Sequence, residues 1–176
     1  IDLVVNDVEN YKKLLEGHFK RKFHIIIDKK GHKLIKFKMR STFFDINELE
    51  GDITNDAKRR DFTINSIYYD IGKKKIIDPL NGLNDIRLRT IKMSSDNFLS
   101  LDSVRFLRYY RFIAEYDLIP EEKTSSQIEN FSVNEVIKMP IERVALEFKK
   151  LISLKNSFPV INELEKKKFL TALFLF

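Results

Sequence analysis

Between Leu101 and Ala114 the chain reads Leu-Asp-Ser-Val-Arg-Phe-Leu-Arg-Tyr-Tyr-Arg-Phe-Ile-Ala, with a charged residue at every third position of an otherwise apolar run. That periodicity predicts a helix that is apolar over most of its circumference. At about 3.6 residues per turn, Asp102, Arg105, Arg108 and Arg111 draw a slanting ridge of one carboxylate and three guanidinium groups across it. Charges on a mostly buried helix are costly unless paired, so the ridge requires anions nearby. A solvated salt bridge between Asp102 and Arg105 is the plainer alternative, but it contributes only a few tenths of a kcal/mol and leaves the surrounding Phe106, Leu107, Tyr110 and Ile113 unexplained.

The rest of the sequence sets the frame. With 176 residues, 43% of them hydrophobic, the chain can build a substantial core in one or two domains. A net charge of +6 favours a polyanionic partner, tempered by 26 acidic residues spread among 32 basic ones. The absence of cysteine excludes disulfides and thiolate metal sites. His18, His24 and His32 are scattered without zinc-ligand spacing. No apolar run approaches the roughly 20 residues that span a bilayer, and no signal peptide is visible, so the expectation is a soluble, cytoplasmic protein without membrane contact. The strand-like opening at Ile1 and the apolar close on Leu170 to Phe176 suggest a portion of a larger enzyme.

Patterning changes once along the chain. Up to about Arg89 it is mixed: an amphipathic helix from Asp7, the expected N-cap, to Gly17, then strands near Lys22 to Asp28 and Lys33 to Ile46 joined through Lys30-Gly31. Short strands follow around Ser66 to Asp70 and Lys75 to Asp78. From about Asn97 the pattern is helical, punctuated by Pro120 and Pro140. The expected fold class is α+β: a head over residues 1–91 with a small mixed sheet, followed by an all-helical neck over 92–176.

Asp2 lies between apolar residues on one expected strand, and Asp45, in Phe43-Phe44-Asp45-Ile46-Asn47, lies on another. If the strands are adjacent, both carboxylates share one sheet face, an arrangement suited to Mg²⁺, a hard cation that takes oxygen ligands and keeps bound phosphates as co-ligands. In a two-metal site one ion lowers the pKa of an attacking hydroxyl and the other neutralises a triphosphate and its leaving group. Taken alone, each aspartate also fits a capping or strand-end role.

Four segments carry a resemblance. Arg59-Arg60-Asp61-Phe62-Thr63-Ile64-Asn65 is similar to the signature of the class II tRNA nucleotidyltransferases, the CCA-adding enzymes, and of the bacterial poly(A) polymerases. Asp78-Pro79-Leu80-Asn81-Gly82-Leu83-Asn84-Asp85-Ile86 resembles the family's Asp-Pro-x-Gly-Gly-x-x-Asp-Leu element. Asp102-x-x-Arg105-x-x-Arg108-x-x-Arg111 resembles its nucleotide-selecting helix, and Ile141-Glu142-Arg143-Val144 with Glu147 and Lys150 resembles its Glu-Arg element. The four occur in the family's order and cover nearly the whole chain.

The resemblance implies a DNA polymerase beta-like nucleotidyltransferase head, with CTP and ATP as substrates, Mg²⁺ as cofactor and the tRNA 3′ end as partner. Asp2 matches the second acid of the family's Asp-x-Asp pair, whose first acid would immediately precede Ile1, downstream of a Gly-Gly-x-x-Arg segment; Asp45 fits a third carboxylate. Arg60, Asp61 and Asn65 are expected at the nucleotide, with Arg60 forked onto phosphate oxygens and Asp61 accepting from a ribose hydroxyl. Cytosine and adenine both present an exocyclic amino donor beside a ring-nitrogen acceptor, so a carboxylate from Asp102 and a guanidinium from Arg105 fit C and A and oppose U and G. Arg108 and Arg111 are expected to steady Asp102 or reach the triphosphate. Phe62 and Ile64 read as core, Asp78 and Asp85 as holders of turns around Gly82, and Lys166 to Lys168 as a solvated helix end or an RNA contact.

This sequence departs from the family pattern at Asn81, where Gly is usual, and at Leu101, where Glu is usual. Asn enters left-handed backbone conformations and is tolerable at position 81. Only Glu48 to Ala57 separates the Asp45 strand from the Arg59 segment, where the family carries a flexible loop. That short connection and Leu101 raise partial specificity, CC-only or A-only addition. A poly(A) polymerase and a non-catalytic RNA-binding head and neck are the alternatives.

Overall fold

The computed structural model describes residues 1–27 and 31–174, which divide into two compact units, Ile1–Asp56 and Ala57–Phe176. Asp28, Lys30, Leu175 and Phe176, which belong to the expected second strand, the turn after it and the terminal helix face, lie outside the described residues.

The first unit contains β1 (Asp2–Val5), α1 (Val8–Phe19), β2 (Ile26–Ile27), β3 (Lys33–Met39), β4 (Thr42–Glu48) and most of α2 (Ile53–Arg59). Asp7 caps α1, its Oδ1 accepting from the Asn10 N–H at 3.0 Å. The helix runs two residues beyond the expected Gly17, to Phe19, and ends where Lys20 turns left-handed at φ 52° and donates its N–H to the Glu16 carbonyl. Among the described residues the second strand is Ile26–Ile27, and the expected Lys33–Ile46 strand is a hairpin. Arg40, at φ 54°, reverses the chain between β3 and β4, a turn without the Gly or Asn that would advertise it.

The sheet order is β1-β4-β3-β2, with β1 parallel to β4 and the other pairs antiparallel. Alternation sorts the two faces. Leu3, Ile46 and Ile35 are cross-strand partners, and the last two are fully buried against Val8, Phe23, Tyr11 and Leu15. The register that sends this row to the core places Asp2, Asp45 and Lys36 together on the other face.

In the second unit a single 3₁₀ turn, Thr63–Asn65, is followed by the hairpin β5 (Tyr68–Asp70) and β6 (Lys75–Ile77), α3 (Gly82–Arg87) and β7 (Thr90–Ile91). Then come α4 (Phe98–Leu101), α5 (Arg105–Tyr116), β8 (Ile119–Pro120), α6 (Glu122–Glu129), α7 (Asn134–Ile137), α8 (Ile141–Ile152), α9 (Phe158–Lys166) and α10 (Phe169–Phe174). The helical region also contributes a strand: β8 pairs in parallel with β7 through Thr90↔Ile119 and Ile91↔Pro120. Phe62, Ile91 and Met93 share one core with Phe98, Phe106, Phe112, Val144 and Leu164. That shared core is why compaction divides the chain at 56/57, whereas patterning places the head boundary at 91/92. Among the described residues, no helix is long and apolar enough to cross a membrane.

Candidate functional site

In the first unit, the Cα register Asp2↔Asp45 sets two carboxylates side by side on adjacent parallel strands, on the face opposite the α1-covered core. Lys36 is the next residue in the row, its Nζ 3.0 Å from Asp45 Oδ2. The sequence leads to the pairing of Asp2 with Asp45 but not to Lys36, whose only signal is its alternation with Ile35 and Phe37. The donors are hard oxygens of the kind Mg²⁺ takes, and two carboxylates are a partial ligand set. Among the described residues they are not joined by a third metal-ligating side chain.

In the second unit the acid of the Arg59–Asn65 segment is buried. Asp61 is 6% exposed. Its Oδ1 accepts from the Phe62 N–H at 2.8 Å and from Asn65 Nδ2 at 3.0 Å, while Oδ2 accepts from Arg108 Nε at 2.7 Å and from Arg108 Nη2. The 3₁₀ turn brings Asn65 back over Asp61, so the two signature residues hold each other. Arg60 Nε donates to the Tyr68 hydroxyl at 3.0 Å, and its guanidinium lies over the Tyr68 ring.

The anions that the ridge on α5 requires come from the protein. Arg108 pairs with Asp61 and stands 3.8 Å from Glu147 Oε1; Arg111 Nε donates to Glu147 Oε2 at 3.0 Å and its Nη1 pairs with Glu115. Neither arginine touches Asp102 among these contacts. Glu147 occupies the middle of the buried stripe Val144, Glu147, Leu151 on α8 and is 6% exposed. Burial pushes its carboxyl upward, but Lys150 at 2.7 Å together with Arg108 and Arg111 outweighs this and holds it below the usual carboxylate range. A carboxylate inside an apolar i, i+3, i+7 stripe was the available signal for this counter-charge.

The expected helix from Leu101 to Ala114 is broken. Asp102 lies between α4 and α5 in an extended conformation (φ −162°, ψ 106°), and its Oδ1 accepts from the Val104 N–H at 3.2 Å. Its Oδ2 accepts from Arg143 Nη2 at 2.6 Å rather than from Arg105. Arg105, in the first turn of α5, donates from Nη1 to the Phe98 carbonyl at 3.0 Å and from Nη2 to the Arg59 carbonyl. Burial pushes its guanidinium below the ordinary value, with Asp61 and Asp102 opposing. The break follows from Asp102 bonding the backbone two residues on, a local alternative to helix.

The Asp78–Asp85 segment is scaffolding. Asp78 Oδ1 and Oδ2 accept from the N–H groups of Gly82 and Leu83 at 2.7 and 2.9 Å, capping α3. Asn81 is left-handed at φ 61°, and Asp85 Oδ2 accepts from the buried Thr63 hydroxyl at 2.6 Å. A Cβ on Gly82 would stand 2.2 Å from the Thr63 carbonyl oxygen, so only glycine fits. Phe62 is fully buried and Ile64 packs against the same core. Lys167 Nζ donates to the Ile128 and Glu129 carbonyls, and Lys166 pairs with Glu163.

Residues 1–92 match the poly A polymerase head domain. The chain is 27% identical to the CC-adding tRNA nucleotidyltransferase of Geobacter sulfurreducens over 163 residues, 92% of this chain and 38% of that protein. It is 30% identical to poly(A) polymerase I of Salmonella typhi over 128 residues, 70% of this chain and 27% of that protein. Its fold superposes on the Thermotoga maritima CCA-adding enzyme complexed with tRNA with a TM-score of 0.84 at 24% identity, covering 99% of this chain and 43% of that one. The chain thus spans less than half the length of these relatives. With the head-domain match extending over 92 of its 176 residues, the chain belongs to the poly A polymerase head domain family.

Proposed function

We propose that the protein of which this chain forms the head and neck transfers nucleotides, without a template, to the 3′ end of tRNA, using CTP and ATP. The observation that carries this reading is the Asp2↔Asp45 register, which aligns two carboxylates on the open face of a sheet in a chain of this family. The primer's 3′-hydroxyl oxygen attacks the α-phosphorus of the triphosphate and gives up its proton to solvent, the bond to the bridging oxygen breaks, and pyrophosphate leaves. Asp2 and Asp45 would hold Mg²⁺, which when bound would supply charge neutralisation and a more acidic hydroxyl.

In this proposal Asp102 and Arg105 of the second unit read the base. Two of Arg105's five N–H donors are spent on carbonyls, which fixes the guanidinium plane so that the remaining donors meet a ring nitrogen. Asp102, held by Arg143, accepts from the exocyclic amino group. Arg60, Asp61, Asn65, Arg108 and Arg111 remain part of the nucleotide site in this reading. Asp61, Asn65, Arg108 and Arg111 act mainly by holding the segments that carry the contacts, since their polar atoms are engaged with one another, Glu147 and Glu115. Arg60, over Tyr68, takes phosphate.

The product is CC, A or the full CCA. The four residues between β4 and α2, Leu49 to Asp52, leave little room for a flexible loop, Leu101 replaces the family's Glu, and a CC-adding enzyme is among the relatives. The similarity to a poly(A) polymerase favours ATP-only tailing as the second reading. Incubating the full-length protein with Mg²⁺, labelled CTP and ATP singly and together, and either tRNA lacking its last three nucleotides or tRNA ending in CC separates these. Incorporation of C, of A after CC, or of both in order supports the first reading; A tracts on unrelated RNA support the second. RNA binding without incorporation from any triphosphate sinks both. Asp102→Ala is expected to relax the preference for C and A over U and G, and unchanged selectivity removes Asp102 from base reading.

A further inference from the structure

The carboxylate face of the first unit carries more than the acid row. Two residues before Asp45 on β4, and therefore on the same face roughly 7 Å along the strand, stands Phe43, a large apolar side chain that is 65% exposed. Its cross-strand partner is Lys38, whose Nζ lies 4.9 Å from the ring centroid. Because β2 pairs only with Lys33 and Leu34, the outer edge of β3 beyond them has no strand partner among the described residues. There a groove of about 270 Å³ opens, its apolar floor of Phe23, Ile26 and Phe37 rimmed by Arg21, Lys22, His24 and Lys38 and by Lys36, which is paired with Asp45. Arg21 is held in place over the Phe23 and Phe37 rings. An exposed aromatic flanked by a lysine and continued by a cationic groove is the combination by which single-stranded nucleic acid is held: stacking for the base, cations for the backbone.

We infer that Phe43 and Lys38 seat the 3′-terminal nucleoside of the primer RNA strand beside the carboxylates, and that the phosphates preceding it run across Lys38 into the groove at Arg21 and Lys22. The inference rests on nucleotidyl transfer as the activity, because that chemistry is what brings a 3′-hydroxyl to Asp2 and Asp45. It assigns the strand a direction, from the acid row outward over the edge of β3 that has no strand partner among the described residues, and predicts tolerance of base identity at the primer end, since every base has a π-face.

The test is RNA affinity without any triphosphate, measured by fluorescence anisotropy on the full-length protein with a labelled RNA hairpin bearing a single-stranded 3′ overhang and with the same hairpin blunt-ended. Phe43→Ala should weaken overhang binding roughly tenfold and leave the blunt hairpin unchanged, while Phe43→Trp retains the affinity. Lys38→Ala should lower the slope of log K against log salt by about 0.7, one single-strand phosphate contact. Wild-type overhang affinity in Phe43→Ala, or an equal loss on both hairpins, overturns the assignment. Should the wild-type protein incorporate no nucleotide while Phe43→Ala still loses overhang binding alone, the activity reading falls and the strand seat stands.

Discussion

The two units handle their carboxylates in opposite ways. On the sheet of the first, Asp2 and Asp45 stand in an accessible row with Lys36 as the neighbouring cation. In the second, Asp61 and Glu147 are each 6% exposed and bonded on both oxygens by Arg108, Arg111, Lys150, Asn65 and backbone. An accessible pair with spare lone pairs is available to a ligand; a saturated buried acid has spent its capacity on the fold. The acids singled out in the sequence therefore divide into a pair left open on a sheet face and others already engaged by the fold.

Substitutions that separate activity from stability sharpen this contrast. Asp45→Ala is expected to lower nucleotide incorporation about a thousandfold, because several kcal/mol of transition-state charge stabilisation pass through the cation it would bind. Its midpoint in urea should stay near wild type; a large fall in stability would erase the distinction between the units. Arg108→Ala strands Asp61 in the interior and should cost about 3–5 kcal/mol by equilibrium unfolding, the usual penalty for breaking a buried pair. A loss under 1 kcal/mol would mean the network is ornamental. Gly82→Ala should destabilise by about 1–3 kcal/mol through the clash with the Thr63 carbonyl. Removing the cap, Asp78→Ala, should cost about 1 kcal/mol.

The pH response gives the smallest effect. The Glu147 carboxyl is held below its ordinary value of 4.5 in the folded state, so the unfolded chain binds the proton first as pH falls. The stability this supplies is complete above that ordinary value and is lost as pH falls through the lower, folded one. Glu147→Gln should accordingly flatten the acid limb of a stability-versus-pH curve. An acid limb of unchanged steepness would show that Glu147 is not held low.

The sequence disclosed what local pattern can carry. Sequence pattern marked Lys33 to Ile46 as extended, and Asp7 declared the start of α1. The turn at Arg40 stayed hidden because a positive-φ arginine has no compositional mark. The ridge announced its need for anions but not which ones, since Asp61 is 47 residues from Arg108 and Glu147 is 36 from Arg111. The same distance in sequence concealed Arg143, 41 residues from the Asp102 it binds, so that Asp102 read as the first turn of a helix it in fact precedes.

The corner at Asn81 and Gly82 bears on how such sequences can drift. Adjacent positions face unlike demands there: position 81 must accept a left-handed backbone, which asparagine manages, whereas position 82 must have no side chain at all. Mutational sampling of this corner should thus be lopsided, with Asn, Gly and Asp interchangeable at the first position and a single survivor at the second. A library randomised over the two codons and selected for folding would recover that asymmetry directly.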